Sequence, residues 1–249
     1  MKGGTVHQTC AFHSRNSVLT SLVITNDPVS NSLSVKHCLE PQERCLQNPL
    51  ENLELTCGYL LEEDVKCLSQ YPTLGYLNHL NLSYVLLLRI SLEPLGALLE
   101  KVSATLETLV LEGCQIHYSQ LRAILPGLSR CSQLTTFYFG RNCMSMDPLK
   151  DLLRHTSALS KLSLETYPAP EESLNSLVHV DREIFTPLGA ELMCTLREVR
   201  QPKRIFIGPA PALPVTHHHL RNWSSIFAAR EGVSSRVDTS KVLFQALGH

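Results

Sequence analysis

Nine cysteines and eleven histidines supply this 249-residue chain with nucleophiles and metal donors, but their spacing does not assemble a reactive site. Structural zinc draws on closely paired ligands; no C-x-x-C occurs, and His217, His218 and His219 are adjacent side chains that make a poor closed site. The sequence contains no G-x-S-x-G elbow, no G-x-x-x-x-G-K-S/T phosphate loop and no H-E-x-x-H, the motifs that place a nucleophile, a nucleotide phosphate or a catalytic zinc. Catalysis, a metal and a cofactor are therefore not expected. An odd cysteine count, with several cysteines where a small apolar side chain is wanted, fits free and mostly buried thiols in a reducing compartment.

The chemistry that the spacing does favour is recognition by side chains that alternate with leucine. These are Asn52, Glu54 and Thr56; His79, Asn81 and Ser83; Thr108, Val110 and Glu112; Thr136 and Tyr138; Lys161, Ser163 and Glu165; and Arg204 with Phe206. On a strand, alternate residues share one face, so this set is expected to form a protein-binding surface. Tyr138 and Phe206 are its candidate aromatic anchors, because aromatics and Arg dominate interface hot spots.

Such a face exists only if the intervening leucines build a repeated element. Leu106, Leu109, Leu111, Cys114 and Ile116 match L-x-x-L-x-L-x-x-N/C-x-L, the strand and turn of a leucine-rich repeat. The frame recurs at Leu77-Leu80-Leu82-Val85, Leu134-Phe137-Phe139-Asn142-Met144 and Leu159-Leu162-Leu164-Tyr167, with starts 29, 28 and 25 residues apart. Leu19-Leu22-Ile24 and Leu50-Leu53-Leu55 fit it too, and Arg204 to Ile207 alternates like a last strand.

Helical spacing follows each strand. Leu61, Val65 and Leu68 form one stripe, and Leu95, Leu98, Leu99 and Val102 another. A third helix is expected from a Ser119 cap, with Pro126 and Gly127 shortening it. Asp147-Pro148 opens a fourth, Ile184 to Val199 forms a fifth, and Pro41 breaks a helical stretch between residues 30 and 49. A single strand and helix cannot bury its own leucines and must stack on its neighbours. The expected fold is an α/β leucine-rich repeat solenoid, a horseshoe with parallel strands on the concave face and helices on the convex face. It comprises about seven units over residues 18–208, after a polar segment 1–17 and before an irregular tail 209–249 with a marginal helix at Lys241 to Leu247.

A net charge of −1, from 22 basic and 23 acidic residues, gives no bulk attraction to nucleic acid or an anionic membrane. A protein partner is the expectation. Met1 to Ser17 lacks the apolar core of a secretory signal, and the run Val85 to Leu88 stops at Arg89, short of the roughly 20 residues of a spanning helix. A cytoplasmic location is expected, with the nucleus as the alternative.

Six segments carry a resemblance: L-S-Q-Y-P-T-L-G-Y-L-N-H-L-N-L-S (68–83), P-L-G-A-L-L-E-K-V-S-A-T-L-E-T-L-V-L-E-G-C (94–114), L-S-R-C-S-Q-L-T-T-F-Y-F (128–139), L-K-D-L-L-R-H-T (149–156), L-S-K-L-S-L-E-T-Y-P-A-P (159–170) and L-R-E-V-R-Q-P-K-R-I (196–205). With them the chain resembles the PRAME (preferentially expressed antigen in melanoma) family. Arg200 to Ile205 and Tyr167 to Pro170 are not demanded by a generic repeat. The resemblance implies a substrate receptor of a cullin-2 type RING ubiquitin ligase, with cullin-2 and elongins as partners. It also implies links to transcriptional repression, restraint of differentiation and apoptosis, and proliferation. Relative to the family pattern, the chain is expected to be short at its N-terminus and to carry a His- and Ser-rich ending of its own. Leu53-x-x-x-Cys57-x-x-x-Leu61 fits an elongin box by letter, but it spans a strand and turn where a helix is needed, so Leu53 and Leu61 are read as repeat-core residues.

Overall fold

Leucines spaced three and then two apart place their side chains on one side of a short strand, and a strand with one apolar side must be covered. A computed structural model shows how, describing residues 9–15, 18–25, 49–56, 58–87, 90–175 and 179–208. In chain order the elements are β1 (Thr9–Arg15), β2 (Val18–Thr25), β3 (Asn52–Thr56), β4 (Gly58–Tyr59), α1 (Glu62–Gln70), β5 (His79–Asn81), β6 (Val85–Leu86) and α2 (Glu93–Lys101). They continue with β7 (Thr108–Val110), α3 (Tyr118–Ser129), β8 (Thr136–Tyr138), α4 (Met146–His155), β9 (Leu164–Tyr167), α5 (Arg182–Val199) and β10 (Arg204–Ile207).

Among the described residues, eight strands form one sheet in the order β1-β2-β3-β5-β7-β8-β9-β10, and β4 and β6 form a small parallel pair beside it. Every pairing in the large sheet is parallel except β1 with β2. The sheet therefore begins one strand before the repeat frame does, with an antiparallel strand that leucine spacing does not mark. Successive helices pack on one another in the same order, α1 on α2, α2 on α3, α3 on α4 and α4 on α5. The fold is thus α/β, with a parallel sheet and a helix layer built from repeated strand–helix units.

One register row runs Leu53, Leu80, Leu109, Phe137, Glu165 and Ile205, and all six are fully buried. Beside it lie Leu55, Leu82, Leu111, Phe139 and Tyr167, also buried. At roughly 1.5–3 kcal/mol for each buried leucine, the strands contribute a large part of each unit's stability. Phe137 stacks on Phe139 at 5.7 Å and meets Tyr167 edge-on at 6.0 Å.

The row corrects one frame. Glu165, not Leu164, pairs with Phe137, so the fourth strand frame starts at Leu162 and keeps the 28-residue step from Leu134. Leu159-Leu162-Leu164 satisfies the letters three residues out of register.

The turns after the strands repeat as well. Tyr84, Gly113 and Arg141 hold equivalent positions with φ of 59°, 68° and 56°, a left-handed conformation that costs most residues but not glycine. A Cβ on Gly113 would lie 2.7 Å from the Tyr84 ring, so one turn stacks on the next. The N/C position explains its own chemistry. Asn142 donates Nδ2 to Leu111 O (2.8 Å) and Phe139 O (2.9 Å) and accepts from Ile116 N (3.1 Å), while Cys114 directs Sγ to Leu82 O at 3.0 Å. Each ties a turn to the preceding repeat.

Helix boundaries differ from expectation in three places. Helix α3 starts at Tyr118, its first turn closed by His117 N donating to Gln120 Oε1 at 3.0 Å, and it runs through Pro126 to Ser129. Pro126 sits on an exposed face, where water can take the carbonyl that its missing N–H leaves without an intrahelical partner. Helix α4 starts at Met146, whose N–H is taken by Glu172 at 3.0 Å, so Asp147 lies inside the first turn. Helix α5 is capped by Asp181, which accepts from Glu183 N and Ile184 N. The helical stretch expected between 30 and 49 lies largely outside the described residues, and the tail 209–249 does so entirely.

Among the described cysteines, Cys114 and Cys131 are buried, whereas Cys143 and Cys194 are exposed. Burial pushes the Cys131 thiol up to about 12 and Cys114 higher still, which keeps both as inert packing groups.

Candidate protein-binding face

Alternation along the strands leaves two register rows on the side away from the core. The first is Asn52, His79, Thr108, Thr136, Leu164 and Arg204; the second is Glu54, Asn81, Val110, Tyr138, Thr166 and Phe206. Ten of the twelve are half-buried or exposed. Of the residues picked out by alternation, Glu54, His79, Asn81, Thr108, Val110, Thr136, Tyr138, Arg204 and Phe206 thus share this open face. Leu164 and Thr166 join them, hidden from sequence reading by the slipped frame; the 28-residue period would have found them.

The face changes character along its length. Toward β3 it is polar: Glu54 Oε1 lies 3.7 Å from His79 Nε2, too far for a hydrogen bond. Burial lowers the His79 pKa more than Glu54 raises it, so the imidazole is neutral at neutral pH. From β7 onward apolar and aromatic side chains enter the face, up to Arg204 at its β10 end. Val110 is 4 % exposed in the row between Asn81 and Tyr138, and Thr166, between Tyr138 and Phe206 in the same row, is 2 % exposed. Burial raises the Tyr138 phenol, with Glu112 adding to the effect and Arg204 opposing it.

Several predicted face residues lie elsewhere, among them Ser83, buried after β5, and Ser163, which precedes β9. Glu112 belongs to the turn after β7 and is fully buried. Its Oε1 accepts from Arg141 Nε at 3.1 Å and Tyr84 OH at 3.3 Å, and its Oε2 has no hydrogen-bond partner among the described residues. Burial raises its pKa, and Arg141 and Tyr84 oppose the rise. Glu165 is in the core row, paired with Arg200 and accepting from Tyr167 OH at 2.7 Å. Both carboxylates hold repeats together and are unavailable to a partner. Lys161 is exposed but precedes β9, bonded to Gln133 of the preceding unit. Leu61, read as core, is 51 % exposed at the start of α1, while Leu53 is buried.

A family model for the PRAME C-terminal domain matches residues 19–223. The chain belongs to the PRAME family. It is 88% identical over 173 residues to human PRAME family member 13, a match covering 70% of this chain and 36% of that protein. It is 87% identical over the same length to human PRAME family member 1, and 60% identical over 178 residues to human PRAME family member 17, covering 72% of this chain and 38% of the relative. The chain thus spans a little over a third of the length of these PRAME relatives. All of the open face lies within the PRAME C-terminal domain match. Among the described residues, no helix is long and apolar enough to cross a membrane.

Proposed function

We propose that this chain is a non-catalytic protein-binding repeat module, a horseshoe whose concave surface is the open face just described. The observation that supports this reading is one register row in which half-buried Tyr138 and Phe206 flank buried Thr166, with buried Val110 on the other side of Tyr138. An apolar centre with a polar surround is the anatomy of an interface hot spot.

The resemblance to the PRAME family extends the reading to a substrate receptor of a cullin-2 type RING ubiquitin ligase, delivering a bound protein for proteasomal degradation. That role connects to the family's links with transcription, differentiation, apoptosis and proliferation. A second reading, a stand-alone scaffold without ligase docking, is favoured by one observation. In the elongin-box letter match, Leu53 is buried in β3 and Leu61 is exposed at a helix start, so the two do not present one helical face. Capture of partners by the tagged chain separates the readings. Elongins and cullin-2 retained together support the receptor; a partner retained without them supports the scaffold.

A further inference from the structure

The ionisable side chains along the open face are ordered by sign. At its β3 end Glu54 stands on the strand itself, and Glu51 before β3 and Glu107 before β7 are exposed at the edge where the strands begin. At its β10 end Arg204 stands on the strand, and Lys203 before β10 and Lys161 before β9 are exposed at the same strand-entry edge, Lys161 bonded to Gln133. The other nearby charges do not blur this order. Glu112 is buried against Arg141, Glu165 is buried against Arg200, and His79 is held neutral by burial at neutral pH. Near-zero net charge therefore conceals a face that is acidic toward β3 and basic toward β10, with the apolar patch of Val110, Tyr138, Leu164 and Phe206 reaching from the middle to the basic end.

We propose that this face selects an extended segment of a partner protein that carries a basic end, an apolar or aromatic centre and an acidic end, laid across the strands with its acidic end over Lys203 and Arg204. The inference rests on the open face being the binding surface and adds the partner's chemistry to it. From β3 to β10 there are five strand steps, about 24 Å at about 4.8 Å per step. An extended segment of about seven residues covers that distance. Opposite charges at the two ends fix the direction in which the segment lies, and like-charge contacts reject a segment of the wrong polarity. Because the four groups are solvent-exposed or half-exposed, the selection weakens as salt rises.

The test pans random peptides of about twelve residues, long enough to cross the face, against the full chain. Three variants are panned in parallel: Tyr138→Ala, Lys203→Glu with Arg204→Glu, and Glu51→Lys with Glu54→Lys. All five positions are at the surface, and unchanged melting verifies each fold. The expected result is a family of peptides with an apolar centre, acidic residues at one end and basic residues at the other. Their affinity falls about tenfold on either charge-reversed chain, and exchanging the acidic end for lysine restores binding to the Lys203→Glu, Arg204→Glu chain. Recovered peptides without charge polarity, or peptides that bind both charge-reversed chains as tightly as the unaltered chain, overturn this inference while leaving the face as the binding surface. Failure to recover any peptide, or peptides that bind the Tyr138→Ala chain unchanged, overturns the binding-face reading itself.

Discussion

Arg200, which ends helix α5, grips Glu165 of strand β9 through both guanidinium nitrogens, Nη1 donating to Oε1 at 2.7 Å and Nη2 donating to Oε2. The carboxylate sits where neighbouring strands carry Leu109, Phe137 and Ile205, so the last helix is fastened to the sheet by a charge pair in an otherwise apolar row. Both side chains are nearly inaccessible, and Arg200 Nε has no hydrogen-bond partner among the described residues. Removing one partner strands the other: Arg200→Met or Glu165→Leu alone should cost about 3–5 kcal/mol, whereas the double replacement should be close to neutral. Urea unfolding of the four proteins in the cycle measures this, and additive costs would contradict the pairing.

Helices α2 and α3 approach through Gly96 and Gly127. A Cβ on Gly96 would lie 2.3 Å from Ala123 O, and one on Gly127 would lie 2.4 Å from Gly96 O. Helix propensity alone predicts that Gly→Ala stabilises by about 0.5–1 kcal/mol. Backbone contact reverses the sign here, and Gly96→Ala should destabilise by about 1–3 kcal/mol. A raised melting temperature would refute the close approach.

Asn142 and Cys114 solve the same problem with different atoms, so they should be partly interchangeable. Asn142→Ala orphans buried Leu111 O and Ile116 N and should cost about 1–3 kcal/mol for each group left unpaired. Asn142→Cys keeps a donor toward Leu111 O and should cost measurably less in thermal unfolding.

Glu112 predicts a pH dependence of definite sign. Burial raises its folded pKa above the ordinary 4.5, so the folded chain takes the proton more readily than the unfolded chain. Acidification from neutral pH through the folded pKa to below 4.5 therefore relieves the cost of the buried charge. The melting temperature of the wild type minus that of Glu112→Gln should rise as pH falls across that window. A difference that shrinks on acidification would mean that the Arg141 pair outweighs desolvation.

The repeated strands were legible because leucines three and two apart, recurring at 29 and 28 residues, have no simpler explanation than stacking. The carboxylates were not. Glu165 occupies a core position through an arginine 35 residues away, a pairing that no local window contains, and its charge made Leu164 look like the strand's inward residue. Glu112 follows the last leucine of its frame, where the chain has left the strand and alternation no longer sets direction. Strand β1 pairs antiparallel by backbone bonds and carries no leucine frame to announce it. The aromatic positions Tyr138 and Phe206 were readable for the opposite reason: each lies inside a strand whose flanking residues, Phe137 with Phe139 and Ile205 with Ile207, are firmly buried.

On the proposed function the open sheet face, not the helix layer, holds the partner. Titration of a captured partner against Tyr138→Ala with Phe206→Ala, and separately against Leu61→Asp at the exposed start of α1, tests it most directly. Loss of two anchors at about 1–2 kcal/mol each predicts at least a tenfold weaker complex for the first variant, with unchanged melting, and full affinity for the second. Full affinity for the Tyr138, Phe206 variant, or a loss confined to Leu61→Asp, would contradict it.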